Sequence, residues 1–241
     1  MLVSLLSTLF SESGYSVLAI DADPNATLAG ALGFTEPEKI TPISEMGDLI
    51  EERTGARPGQ AAPYFKLNPK VDDIPEKYWV DANGVKLMVM GGLKRGGSGC
   101  YCPENALVEA LVAHLLLNRD EVVIMDMEAG VEHFGRATAK AVDQLVVVVE
   151  PGRGSIETAR RIRELAKDIG LERIGVVGNK IRSEEDRQFL LEALPDFEFL
   201  GFIPYDQTII DAGLGRFPLS QASAAVVGVV KDIAARLGAG R

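Results

Sequence analysis

The chain is predicted to fold as an α/β protein built on a mostly parallel, doubly wound sheet with helices on both faces. Three observations carry that reading. From about residue 121 onward, short apolar runs alternate regularly with stretches of helical periodicity. Several of those runs are rich in Val and Ile and apolar throughout, as expected of strands covered on both faces. Polar groups, above all carboxylates, stand at their carboxyl ends, where open parallel sheets bind ligands. One domain is expected over residues 1–241, interrupted by a loop-rich insertion at about 35–102.

The first element is a helix. Leu2 to Phe10 places apolar residues at helical spacing, and Gly14 suits the position just past its end. Ser16 to Ile20 follows as a buried strand that leads into Asp21-Ala22-Asp23-Pro24-Asn25. The pattern then weakens. Between Thr35 and Lys77 prolines crowd together, one helix is expected at about Ser44 to Thr54, and the remainder reads as irregular surface chain. Tyr78-Trp79-Val80 and Val85 to Met90 flank Asp81-Ala82-Asn83-Gly84, a turn suited to a hairpin. Gly-rich sequence runs from Gly91 to Gly99, and a helix is expected from Pro103 to Asn118, with proline at its first position and Glu104 in its first turn. Strands are predicted at Glu121 to Met127, Gln144 to Glu150, Arg173 to Gly178 and Glu198 to Ile203. Helices are predicted at Gly135 to Ala141, Ser155 to Ile169, Glu184 to Leu194, Gln207 to Ala212 and Gln221 to Leu237.

Bulk properties narrow the partners. The net charge is −10, from 35 acids against 25 bases, and no run of Lys or Arg exceeds two residues. Nucleic acid is therefore not expected as a partner, because neutralising phosphates dominates that binding. No membrane association is expected either: apolar runs such as Leu145 to Val149 are far shorter than a bilayer requires, and the first ten residues lack the basic start of a signal peptide. The expected location is cytoplasmic.

Both cysteines of the chain lie in Gly99-Cys100-Tyr101-Cys102-Pro103. A disulfide between positions two apart would be strained, and so few cysteines do not suggest a chain stapled for export. Two thiolates offered to one soft metal ion fit better, with two idle thiols as the plain alternative. Such an ion takes about four ligands, so one chain supplies half a site. Cys102 falls at the start of the expected helix, where backbone N–H groups favour a thiolate. His114, mid-helix among Leu and Val, reads as structural.

Elsewhere, Asp21 and Asp23 end one strand, and Asp126 ends another ahead of a Gly-containing loop through Gly130. Asn179-Lys180 ends a third. Carboxylates at two strand ends suit Mg²⁺ held mostly through water, and a further carboxylate can orient attacking water. An Asn side chain can pair with the donor and acceptor edge of adenine.

These stretches resemble the MinD/ParA/ArsA group of deviant P-loop ATPases, and within it the CooC-type nickel-insertion ATPases. The matching marks are Ile20-Asp21-Ala22-Asp23-Pro24 as switch I, Asp126 to His133 as switch II, and Val177-Gly178-Asn179-Lys180 at the base site. Val149 to Ala159 and the Gly-Cys-Tyr-Cys-Pro-Glu-Asn sequence also match. The resemblance covers nearly the whole chain. It implies ATP or ADP with Mg²⁺ as cofactors, Asp21 holding a metal-bound water, Asp23 orienting the attacking water and Asp126 supporting the metal. Asn179, Lys180, Gly130 and the backbone after Pro204 would serve nucleotide binding. It also implies a homodimer that brings Cys100 and Cys102 of two chains around one Ni²⁺ (or Zn²⁺), and a client nickel enzyme such as carbon monoxide dehydrogenase.

One mark of the family is absent. A Gly-rich loop ending in Gly-Lys-Thr or Gly-Lys-Ser should precede the first helix, and the sequence starts inside that helix. The first strand and P-loop, on the order of ten to fifteen residues, are expected to be missing by truncation. Nothing downstream replaces them, since Gly91 to Ser98 lacks the Gly-Lys-Ser/Thr ending. The chain as written is expected to bind ATP feebly and to be impaired or inactive as an ATPase. Two alternatives remain: a non-catalytic metal-binding or interaction protein, and a MinD- or ParA-like positioning ATPase. The latter would want a basic surface or basic amphipathic tail, and Gln221 to Arg241 carries few bases.

Overall fold

A computed structural model of the chain describes residues 1–58, 64–91, 103–117, 121–128, 142–214, 216 and 219–238. The expected helix at Gly135 to Ala141 lies outside them. The chain divides into two compact units, Gly14–Glu128 and the remainder, Met1–Ser13 with Ala129–Arg241.

In the unit Gly14–Glu128, four strands form one sheet: β1 (Val17–Asp21), β2 (Val80–Ala82), β3 (Val85–Val89) and β4 (Val122–Asp126), in the order β2-β3-β1-β4. β1 lies parallel to both β3 and β4, and only β2 runs antiparallel to its neighbour. Every residue of β1 is buried, which explains its unbroken apolar sequence up to the final Asp. Burying a side chain such as Ile20 stabilises the fold by about 1.5–3 kcal/mol, and Leu18, Leu87 and Met88 beside it are equally enclosed.

The predicted hairpin forms, with a tighter turn than expected. Asp81 and Ala82 belong to β2, leaving Asn83 (φ 55°) and Gly84 (φ 84°) as the two turn residues. Positive φ at both positions is what a type I′ connection demands, and Asn-Gly is the pair that adopts it most readily. The Asn83 side chain donates to the Leu32 carbonyl at 2.8 Å, closing the short helix α2 (Leu28–Ala31) that the sequence did not reveal.

The stretch from Thr35 to Lys77 departs from the expectation of surface chain. The expected helix forms as α3 (Gly47–Thr54), but a second, α4 (Ile74–Tyr78), was not expected, so Tyr78 ends a helix and does not open a strand. Ile43, Ile50 and Ile74 are essentially fully buried. Prolines masked this, because the apolar residues that anchor the segment are too widely spaced to show a period. Arg53 fastens it, making a paired hydrogen bond to Asp73 at 2.9 and 2.8 Å. α5 (Pro103–Leu117) starts at its predicted proline and packs against α3.

The other unit has a three-stranded parallel sheet, β5 (Leu145–Val149), β6 (Ile174–Ile181) and β7 (Glu198–Pro204), with β6 central. Around it lie α1 (Leu2–Glu12), α6 (Arg153–Asp168), α7 (Glu184–Ala193), α8 (Gln207–Gly213) and α9 (Ala224–Gly238). α1 ends as predicted, with Gly14 in the left-handed region at φ 88°. α9 packs on β7 and on α1. The approach to β7 is close at Gly201, where an added Cβ would sit 2.8 Å from Ile233 Cγ1. α7 is capped by Ser183, whose hydroxyl accepts from the Asp186 N–H at 3.4 Å while the Asp186 carboxylate accepts from the Arg182 N–H at 2.9 Å. This reciprocal capping satisfies donors that the helix cannot.

Candidate functional site

In the unit Gly14–Glu128, β1 and β4 end together. The parallel register pairs Asp21 with Asp126, and the Ala22 N–H donates to the Asp126 carbonyl at 2.9 Å. Two carboxylates on adjacent strand ends follow directly from that register.

Asp21 is buried, and the local backbone is shaped around it. Its Oδ2 accepts from the Leu28 N–H at 2.9 Å, the first N–H of α2, and its Oδ1 accepts from the Asp23 N–H at 3.2 Å. Burial raises the Asp21 pKa; the Leu28 and Asp23 N–H groups oppose that rise, and the Asp23 charge adds to it. Asp126, half-buried, is raised too, first by burial and further by the charges of Asp21 and Asp23. Asp23 is partly exposed, and its Oδ1 accepts from the Asn25 N–H at 2.7 Å, a turn that fixes its direction.

These three carboxylates fit a hard cation held largely through water. Each is an oxygen ligand of the kind such a cation takes. Among the described residues no group of three or more His, Cys, Asp or Glu side chains is gathered into a direct metal cage. Cys100, Cys102 and Gly130 lie outside the described residues. His114 is half-buried on α5.

In the other unit, Asn179 and Lys180 sit near the end of β6, which runs three residues beyond its expected end at Gly178. The reason is a bulge: Gly178 pairs with Phe202 and Ile181 with Pro204, so one residue more stands on β6 than on β7. Lys180 takes up the excess in the left-handed region at φ 57°. It is exposed, and its Nζ pairs with Glu150 Oε1 at 2.7 Å beyond the end of β5. Such an exposed pair contributes at most about 1 kcal/mol. Asn179 is partly exposed at this edge.

Pro204 closes β7, and the Tyr205 N–H donates to the Ile181 carbonyl at 2.8 Å, binding the loop after Pro204 to the bulged strand. The Arg182 guanidinium lies 4.6 Å from the centroid of the Tyr205 ring. Asp206 caps α8 by accepting from the Thr208 N–H at 2.8 Å. The Thr208 hydroxyl and the Ser223 hydroxyl also donate to it, both at 2.5 Å. Those donors hold the Asp206 pKa below the usual carboxylate value, Ser223 contributing most. The sequence reading gave no role to Asp206 or Ser223, and Glu150 entered it only as the end of the expected strand Gln144 to Glu150 and within the matching Val149 to Ala159 stretch. The signal for the first two was present, since Asp206 and Ser223 each stand at the start of a helical pattern, where side-chain acceptors cap.

Comparison with known proteins gives one picture. The family described as the CobQ/CobB/MinD/ParA nucleotide-binding domain matches residues 1–216. The carbon monoxide dehydrogenase accessory protein CooC of Rhodospirillum rubrum is 47% identical over 226 residues, covering 92% of this chain and 86% of that protein. An uncharacterized ATP-binding protein of Methanocaldococcus jannaschii is 44% identical over 233 residues, covering 95% and 90%. Among solved structures, the MinD cell division protein of Aquifex aeolicus matches with a TM-score of 0.67 at 19% identity, over 99% of this chain and 90% of that one. A ParA family ATPase from Chlorobium tepidum matches at 0.68 and 15% identity, over 97% and 90%. The fold is that of the MinD/ParA P-loop NTPases, and the chain belongs to the CobQ/CobB/MinD/ParA nucleotide-binding family, in its CooC-type branch.

Proposed function

We propose that the chain is an ATP-dependent metallochaperone that serves the maturation of carbon monoxide dehydrogenase or a related nickel enzyme. The observation that carries the ATP chemistry is the alignment of Asp21 with Asp126 at adjacent strand ends, with Asp23 next to them. Likeness to a carbon monoxide dehydrogenase accessory protein over nearly the whole chain supports the maturation role. Bound Mg²⁺ would neutralise phosphate charge and polarise the transferred phosphoryl group. Asp21, held by two N–H groups, would fix a water of the metal's shell, and Asp126 would support it. Asp23, its direction fixed by the Asn25 N–H and partly exposed at the end of the strand, would accept a hydrogen bond from the attacking water and orient it. Asn179 would read adenine, and the backbone after Pro204 would close on the base, with Lys180 and Gly130 assisting.

Cys100 and Cys102 would bind the cargo metal, Ni²⁺ or Zn²⁺, with the same pair from a second chain completing four thiolates. ATP binding and hydrolysis would close and open the homodimer, converting a held ion into one released to the client. A cytoplasmic location belongs to this reading. No helix among the described residues is long and apolar enough to cross a membrane.

The test is hydrolysis at millimolar Mg-ATP by the chain preceded by a loop ending in Gly-Lys-Thr. That protein is expected to turn over ATP, and Asp23→Asn to lower kcat by at least about a hundredfold with little change in KM, the scale typical of general acid–base and positioning groups. Full activity in Asp23→Asn would remove Asp23 from the mechanism, and no hydrolysis at all would remove the ATPase.

A further inference from the structure

We propose that Ser223, acting through Asp206, is a positioning residue of the adenine site. The proposal rests on the reading that the end of β6 and the loop after Pro204 receive the base.

That loop is short, and three sets of contacts restrain it. At its start the Tyr205 N–H is bound to the Ile181 carbonyl at 2.8 Å, directly beyond the bulge that carries Asn179. In its middle the Tyr205 ring is backed by the Arg182 guanidinium at 4.6 Å. At its end Asp206 is held by both donors of Thr208 and by the Ser223 hydroxyl. Ser223 comes from the start of α9, a separate helix. It is itself fixed there, since its N–H donates to Thr208 Oγ1 at 3.1 Å and its Oγ accepts from the Val226 N–H at 3.3 Å.

A cap for α8 needs only the Thr208 N–H bond to Asp206. The added Ser223 contact does something a cap does not: it ties the backbone at Tyr205 and Asp206 to α9, which lies on β7 and is anchored near Gly201. Backbone groups that recognise a base edge must be held within a fraction of an ångström, and a loop end bound to a packed helix meets that need. Loss of the Ser223 hydroxyl removes the tie between the loop end and α9 while leaving the Thr208 donors to Asp206, and β6 with Asn179, in place. The consequence falls on base discrimination more than on attraction for the phosphates.

The readout is therefore selectivity. Binding of ATP and of GTP, each with Mg²⁺, to the chain preceded by a loop ending in Gly-Lys-Thr is measured by isothermal titration for the parent, Ser223→Ala and Ser223→Thr, with Asp206→Asn as a second, isosteric variant. The parent is expected to prefer ATP. Ser223→Ala is expected to lower the ATP-to-GTP affinity ratio about three- to tenfold, on the scale of one hydrogen bond; Asp206→Asn is expected to do the same, and Ser223→Thr to restore the ratio. A parent preference for ATP that survives unchanged in Ser223→Ala and Asp206→Asn overturns the positioning role. A parent with no preference for ATP overturns the base-site reading itself. General loosening of the fold would weaken both nucleotides together and leave the ratio intact, which also counts against the proposal.

Discussion

Asp126 illustrates how a single residue can be held against its own preference. Its neighbours Asp21 and Asp23 are acidic, it is half-buried, and both facts raise its pKa. A carboxyl whose folded pKa is raised costs stability as pH climbs from the ordinary carboxylate value through the folded one, because the folded state must then carry a charge it disfavours. Asp126→Asn removes that charge at nearly constant shape. The variant is expected to melt no lower than the parent and up to about 2–4 °C higher, the scale of 1 kcal/mol in a chain of this size, while losing the stabilisation that Mg²⁺ confers on the parent. A melting curve with and without Mg²⁺ checks this, and a marked loss of stability in the variant would contradict it. Asp206 has the opposite sign. Its pKa is lowered, so its contribution is fully present above about pH 4, the unfolded carboxylate range, and is lost as pH falls through the folded value. The stability gap between the parent and Asp206→Asn should therefore shrink on acidification; a constant gap from neutral pH to acid would refute the role given to Ser223 and Thr208 as its donors. Lys180 adds a third case. Its left-handed backbone costs roughly 1 kcal/mol in a residue with a Cβ, so Lys180→Gly should match or exceed the parent in denaturant midpoint despite losing the exposed pair to Glu150.

At the scale of elements, the Asn83-Gly84 turn connects to the carboxylates through α2. The Asn83 side chain holds the Leu32 carbonyl at one end of α2, and the Leu28 N–H at the other end holds Asp21. Gly84→Ala, at φ 84°, should cost about 1–2 kcal/mol through backbone strain alone. Asn83→Ala adds loss of the tie to α2, and it should also weaken the thermal shift produced by Mg²⁺. A Mg²⁺ response identical to that of the parent would show that α2 is held without the hairpin. Much of this level was legible beforehand. Asn-Gly between two apolar runs announced the hairpin, Gly14 announced the end of α1, and Pro103 the start of α5, since each is a local backbone requirement met by one residue type. Within the insertion the helix at about Ser44 to Thr54 was expected, but α4 and the buried packing of the segment were not. Ile43, Ile50 and Ile74 become buried through tertiary packing, which leaves no period in a proline-rich stretch. The bulge at Lys180 was hidden for a related reason: an extra residue in β6 is defined only by its register against β7.

For the molecule as a whole, Asp21, Asp23, Asp126 and Asn179 stood out in the sequence because polar groups toward the carboxyl ends of parallel strands lie where such sheets bind ligands. What the sequence could not supply was which strand ends stand side by side. Register decides that, and it brings Asp21 level with Asp126. The donors to Asp206 stayed hidden for the same reason: the Ser223 hydroxyl reaches it from a different helix.

Metal cargo shared between two copies of this chain, as proposed above, is open to nickel titration followed by size-exclusion chromatography. Saturation is expected at about one ion per two chains, the stoichiometry of a shared four-thiolate site, together with a shift from monomer to dimer. Both are expected to be abolished in Cys100→Ser/Cys102→Ser. One ion per chain, an unchanged elution volume, or undiminished binding in the double variant would contradict it.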